Sequence, residues 1–254
     1  MIVDAAGHLI TSAAPAGTRG AWSTLPVSAS TTDSPDPFAA VSCPGSGFCA
    51  AIADTHIATS NEPFAGPAAW SVSAVPQQSA YNDTPLPHTS IACASATFCA
   101  ATAEEYVDIS SDPAGGKKAW QSIQAGNIDE DNLSGVACPT PSLCVAADDL
   151  TGSGGLRAPA ALMISRSPAT AWFRVTLSRV SGPLGAFSCP SPQLCVATAG
   201  GRELILSTNP SRTAKAWRTV RLPTRRAVQV SCASASACAA VSYTHLRAHE
   251  TGRN

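Results

Sequence analysis

All ten cysteines of this 254-residue chain fall into five pairs of one spacing, C-x5-C. Cys43 goes with Cys49, Cys93 with Cys99, Cys138 with Cys144, Cys189 with Cys195 and Cys232 with Cys238; first cysteines are 50, 45, 51 and 43 residues apart. Such self-similarity is read before anything else, because it dictates the architecture. Other columns run in the same register. All five tryptophans (Trp22, Trp70, Trp120, Trp172 and Trp217) follow an Ala. A Ser precedes each one, with a Pro three residues after the Ser: Ser12 and Pro15, Ser60 and Pro63, Ser110 and Pro113, Ser165 and Pro168, Ser207 and Pro210. The Ser-to-Trp separation is ten residues in four units and seven in the unit of Trp172.

One unit reads as four short runs. An apolar run ends in Cys (Ala186-Phe187-Ser188-Cys189), and a second opens on Cys (Leu194-Cys195-Val196-Ala197). A third alternates up to the Ser (Glu203-Leu204-Ile205-Leu206-Ser207), and a fourth starts at Trp (Trp172-Phe173-Arg174-Val175-Thr176-Leu177). These are strand lengths, punctuated by Pro, Gly, Ser, Asn and Asp. Four strands in about 45 residues predict an all-β fold, a β-propeller of four-stranded antiparallel blades. The 20 Pro and 18 Gly argue against a helical bundle.

The register predicts a half blade, four blades and a half blade over residues 1–240, with His8 to Ser12 as a third strand. Residues 241–254 resemble no unit. Val241 to Thr251 look like the translation of a transposon-type sequencing adapter, so the segment is read as a non-native tail. Two readings of the ends follow. Either the chain is a fragment of a larger propeller, or the two halves close a five-bladed ring. The adapter-like tail favours the fragment, and a signal peptide would then lie upstream.

Each cysteine pair flanks the connection between the first and second strands of a unit. Residues facing across an antiparallel hairpin have Cα atoms roughly 4.5–5.5 Å apart, within disulfide reach. Five intra-hairpin disulfides are therefore expected, each contributing roughly 2 kcal/mol on chain-entropy grounds. Regular pairing of every cysteine implies an oxidising compartment, hence an extracellular or cell-surface protein. Zinc fits poorly: structural sites use shorter spacings, and no His accompanies the pairs.

The units resemble bacterial β-propeller repeats related to the Asp-box (BNR) and photosystem-assembly-type propellers of secreted proteins. The resemblance rests on S-x-x-P…A-W, as in Ser60-Asn61-Glu62-Pro63…Ala69-Trp70, a relaxed form of S-x-D-x-G-x-x-W. Asp112 and Asn209 keep the position before Pro. It implies that this turn joins strands three and four as framework, with Ser capping it, Pro fixing φ and Trp packed between blades.

In an antiparallel blade the disulfide hairpins and Trp turns share one face. The loops after strands two and four share the other, and these vary. They carry Asp33, Asp36, Tyr81, Asp83, His88, Asp129, Glu130 and Asp131 after strand four, and Asp54, His56, Glu104, Glu105, Tyr106, Asp148, Asp149 and Arg202 after strand two. Function sits on such loops over a rigid scaffold, although Asp also populates turns because it fits them. Asp54, His56, Glu104, Tyr106, Asp129, Asp131, Asp149 and Arg202 are the binding candidates.

Charge divides along the chain. Residues 1–150 hold fifteen acids and three bases; residues 151–240 hold one acid and eleven bases. Such a dipolar ring would orient a charged partner. A formal net charge of −1 excludes a uniformly basic nucleic-acid binder. No run of eighteen apolar residues predicts membrane insertion. Asn127–Asn132 lacks the Gly and distal Glu of an EF-hand loop. No nucleotide, metalloprotease or nucleophile-elbow motif appears, so no cofactor, metal or catalytic residue is assigned.

The expected function is a binding or scaffold module recognising glycan or protein through the variable loops. Two alternatives stand beside it. One is a sialidase-like Asp-box glycoside hydrolase fragment, for which Arg19 alone cannot supply the arginine cluster from residues 1–150. The other is a structural spacer.

Overall fold

A computed structural model describes residues 1–3, 8–12, 14, 19–27, 36–45, 47–78, 86–127, 132–148, 159–181, 183–200, 203–210, 213–222 and 227–242. Its strands form a β-propeller. An N-terminal half blade holds β1 (Ile2–Val3), β2 (Leu9–Thr11) and β3 (Ser23–Leu25). Blade 1 holds β4 (Phe38–Gly45), β5 (Phe48–Ala53), β6 (His56–Ser60) and β7 (Ser71–Ala74). Blade 2 holds β8 (Ser90–Ser95), β9 (Phe98–Ala103), β10 (Tyr106–Ser110) and β11 (Trp120–Gln124). Blade 3 holds β12 (Leu133–Thr140), β13 (Leu143–Asp148), β14 (Pro159–Ser167) and β15 (Ala171–Ser181). Blade 4 holds β16 (Leu184–Ser191), β17 (Leu194–Ala199), β18 (Glu203–Ser207) and β19 (Trp217–Arg221). A C-terminal half blade holds β20 (Ala227–Ser234) and β21 (Ala237–Ser242).

Consecutive strands within a blade pair antiparallel. Ile2 and Val3 pair with Ile10 and Leu9, so the N-terminal half blade begins at the end of its second strand, one step earlier than the repeat columns indicated. Among the described residues β2 and β21 belong to separate sheets, and no ladder joins the two half blades. β21 runs two residues past 240; residues 243–254 lie outside the described part.

The second strand of each blade shows why the chain is rich in small apolar residues. Such a strand is buried on both faces, and its period of two divides it between two seams. Phe48, Ala50 and Ile52 face blade 2, whereas Cys49, Ala51 and Ala53 face the N-terminal half blade. The same split recurs at Leu143, Val145 and Ala147 against Cys144 and Ala146. The small Cys-Ala side leaves room for the bulk of the preceding blade. The tryptophan fills what remains: Trp120 of blade 2 lies among Phe48, Ala50, Ile52 and Ile57 of blade 1, and Trp217 of blade 4 lies among Leu143, Val145, Leu162 and Ile164 of blade 3.

Every C-x5-C pair is disulfide-bonded across its own hairpin. Cys43 bonds to Cys49 at a Cα–Cα distance of 4.2 Å, Cys93 to Cys99 at 4.0 Å, Cys138 to Cys144 at 4.1 Å, Cys189 to Cys195 at 4.1 Å and Cys232 to Cys238 at 3.9 Å. These distances lie just below the roughly 4.5–5.5 Å expected from hairpin geometry, at the short end of what a disulfide spans. The five hairpins share one register. Cys93 sits directly opposite Cys99, and Cys232 directly opposite Cys238, as ladder partners. In blades 1, 3 and 4 the ladder reaches Ser42–Ala50, Ala137–Val145 and Ser188–Val196 in that same register, and all five hairpins then slip by one residue towards the turn.

The repeated Ser caps its turn in every unit. Ser12, Ser60, Ser110, Ser165 and Ser207 Oγ each accept the backbone N–H two residues on, at 3.0–3.1 Å. This is the local side-chain-to-backbone bond that short hydroxyl side chains make in turns. First strands of neighbouring blades are tied too: Ser42 Oγ accepts the Cys93 N–H, and Ser188 Oγ accepts the Cys232 N–H. No helix of the described residues is long and apolar enough to cross a membrane.

Candidate functional site

The loop face between blades 1 and 2 departs from the repeat. The residue five before each first cysteine is Phe38, Leu133 or Leu184 in blades 1, 3 and 4, each buried in the seam with the preceding blade. In blade 2 it is His88. The residue two before the capping Ser is Ala58, Met163 or Ile205 in the same three seams. In blade 2 it is Asp108. Two facing apolar positions have thus become an acid and a base, each 1% exposed and joined at 2.6 Å from Nε2 to Oδ2. Burying charged groups costs free energy unless they are paired and hydrogen-bonded, and these are both.

The hydrogen bonds around the pair are directional. His88 Nδ1 lies 2.8 Å from the Asp54 carbonyl, which only accepts. Nδ1 therefore carries a hydrogen. The proton between Nε2 and the Asp108 carboxyl then makes the unit either imidazolium–carboxylate or imidazole–carboxylic acid, electrically neutral in both forms. Ser122 O–H donates to the other Asp108 oxygen. Gln77 Nε2 donates to the Asp54 carbonyl at 3.4 Å and to the Pro76 carbonyl at 3.1 Å. Through His88, blade 2 holds the rim loop of blade 1.

That rim loop, Asp54-Thr55, presents the second part of the site. Asp36 Oδ1 accepts the Asp54 N–H at 3.2 Å, and Asp36 Oδ2 accepts the Thr55 hydroxyl at 3.1 Å. His56 Nδ1 stands 3.2 Å from Asp36 Oδ2 and 2.7 Å from Thr55 Oγ1. Donation of Nδ1–H to these oxygens leaves Nε2 as an acceptor on a side chain that is 25% exposed. Among the described residues no nucleophile is hydrogen-bonded to it. Burial raises the Asp54 carboxyl above its ordinary range, the nearby Asp36 charge adds to the effect, and His88 opposes it. Asp54 itself stands exposed at the rim.

The remaining candidates separate. Glu104 occupies the turn equivalent to Asp54, with a positive φ of 47°, and its carbonyl accepts the Leu133 N–H. Glu105 beside it is buried, and its carbonyl accepts the Ala125 and Gly126 N–H groups. Tyr106 opens β10, half-buried, opposite Gln124 and Ala103. Asp129, Asp131, Asp149 and Arg202 lie outside the described residues. The structure brings Asp54 and His56 together, and Asp36, Thr55, His88, Asp108 and Ser122 join them. A further buried acid, Asp148, is fully covered and lies 2.9 Å from Arg174 across blade 3. Among the described residues, no three His, Cys, Asp or Glu side chains converge to hold a metal ion.

No known family pattern and no curated protein matches the sequence. Among solved structures, the chain is similar to "YCF48 bound to D1 peptide", at 14% identity and a TM-score of 0.53, covering 84% of this chain. It is also similar to the β-propeller domain of Myceliophteria thermophila Cps50 (Swd1), at 11% identity and a TM-score of 0.49, covering 74% of this chain and 55% of that one. The chain spans 62% of the length of the YCF48 structure. The likeness is one of fold.

Proposed function

We propose that this propeller is a binding module whose loop face at the blade 1–blade 2 seam, around Asp54, Thr55 and His56, receives a protein or peptide segment. One observation carries the reading. Only this described seam exchanges apolar core positions for a buried His88–Asp108 pair, and that pair anchors an exposed rim. A polar network that offers little packing advantage over an apolar one has its best rationale in the geometry it imposes on Asp54 and His56. The similar structure of YCF48 is of that protein bound to D1 peptide, which supports a peptide as the ligand class. Five disulfides favour an oxidising setting, outside the cell or on its surface.

The test is selection of a displayed random peptide library on the whole protein, with a glycan array probed in parallel. Peptides enriched on the native protein and lost on Asp36→Asn and His56→Ala support the reading. Glycan capture with the same sensitivity moves the ligand to carbohydrate, and hydrolysis of an arrayed glycan moves the protein to the glycoside hydrolases. Silence on both panels favours a spacer.

A further inference from the structure

We infer, resting on the reading of the rim as a peptide site, that the segment received between Asp54 and His56 is cationic and is held there by a Lys or Arg side chain. The hydrogens of the rim are already spent. His56 Nδ1 stands 3.2 Å from Asp36 Oδ2 and 2.7 Å from Thr55 Oγ1, and its donation to them leaves Nε2 as an acceptor. The Thr55 hydroxyl donates to Asp36 at 3.1 Å, and the Asp54 N–H donates to the other Asp36 oxygen at 3.2 Å. Among the described residues only the backbone of Asp54 is hydrogen-bonded, and no group bonds its carboxylate. What the corner keeps for a ligand is therefore two acceptors, an imidazole nitrogen and a carboxylate. A ligand that suits them must bring N–H donors.

Charge selects a cation among the possible donors. Burial and the neighbouring Asp36 charge both disfavour the ionised Asp54 carboxyl, and the base that opposes them, His88, is 1% exposed and already joined to Asp108. A cation brought to the rim relieves that repulsion and makes a charge-assisted hydrogen bond, where a neutral donor makes only an ordinary one. The surrounding blades do not supply the cation. Residues 1–150 hold three bases, Arg19, Lys117 and Lys118. All three lie in the short turns that lead into Trp22 and Trp120, between third and fourth strands. Asp54 and Glu104 lie between second and third strands, which is the opposite end of an antiparallel blade. The field at the rim is thus negative, and it draws a basic segment to this end of blades 1 and 2.

Three displayed libraries of short random peptides, panned on the whole protein, test this. All contain Gly, Ser, Val and Phe; one adds Lys and Arg, one Asp and Glu, and one Asn and Gln. The expected result is retention of clones from the Lys/Arg library alone, weakened about tenfold or more by Asp54→Asn and by His56→Ala. Asp54→Asn keeps the backbone bonds to Asp36 and His88, so its effect reads the carboxylate and not the fold. Joint Lys117→Glu and Lys118→Glu substitution, at the other end of blade 2, leaves retention within twofold. Clones from the Asn/Gln or Asp/Glu library that are lost on Asp36→Asn and His56→Ala overturn the cationic ligand and leave the peptide reading standing. Lys/Arg clones indifferent to Asp54→Asn also overturn it, because a diffuse field then holds them. No retained clone from any library overturns both.

Discussion

His88 Nε2 lies 2.6 Å from Asp108 Oδ2 in a seam where the sibling blades place Leu against Met or Ile. The sibling seams therefore supply their own control. Removing one member of a buried pair strands the other, a loss of roughly 3–5 kcal/mol, whereas apolar replacement of both is often neutral or stabilising. His88→Leu and Asp108→Met are each expected to lower the urea midpoint strongly. The double variant, which reproduces the blade 3 seam, is expected to return to within about 1 kcal/mol of the native protein or above it. Simple additivity of the two losses would show that the pair is not a unit.

Asp54 makes stability depend on pH with a definite sign. Its carboxyl is raised in the folded protein by burial and by Asp36, so the native state holds that proton more tightly than the unfolded chain. The resulting stabilisation is present below the ordinary aspartate value of about 3.9 and is lost as pH rises through the raised folded value. Asp54→Asn keeps the backbone bonds to Asp36 and His88 and removes the titration. Its stability relative to the native protein should therefore increase between acidic and neutral pH. Denaturant titrations at several pH values read this directly, and a constant difference would contradict it.

Glu104 adopts a left-handed backbone that blade 4 gives to Gly200, at φ values of 47° and 53°. A non-glycine residue there carries strain of about 1 kcal/mol. Glu104→Gly is expected to leave stability unchanged or raise it by roughly 0.5–1 kcal/mol, against the usual cost of adding a glycine. A clear loss would mean that the Glu104 side chain stabilises the turn.

The capping serines should rank by what they bond. Ser60 Oγ accepts one backbone N–H, from Glu62, whereas Ser110 Oγ accepts from Asp112 and also donates to the Ala119 carbonyl at 2.8 Å. Ser60→Ala is expected to cost about 1 kcal/mol and Ser110→Ala about twice that. Equal effects in a urea series would assign the loss to the shared cap alone.

What was legible in the chain is what repeats. The Cys, Ser and Trp columns recur at equivalent places, so they located the hairpins, the turns and the order of strands. Identical spacing went with one shared register at the cysteines, but it did not reveal that every hairpin slips by one residue between its cysteine pair and its turn, because that depends on the backbone of the turn. The site was harder because it consists of departures from the columns. His88 and Asp108 are single exceptions, twenty residues apart, and the Asp54 carbonyl is 34 residues from the histidine that holds it. Asp54 and His56 were visible as polar rim residues, and His88 and Asp36 only as members of variable loops. The clue was His88 standing where Phe38, Leu133 and Leu184 are apolar, a contrast between columns that spacing alone does not weigh. The seven-residue step from Ser165 to Trp172 marked blade 3 as unusual, but nothing in it foretold how far β15 would run.

The placement of the tryptophans gives the molecule a direction in time. Each blade brings its own indole and lodges it against the blade made before it, as Trp70 does beside Leu9 and Leu25 and Trp120 does beside Phe48 and Ile57. A blade emerging from the ribosome therefore finds the wall that receives its indole already made. Assembly proceeds like courses of brick laid from one end, each course keyed into the one below.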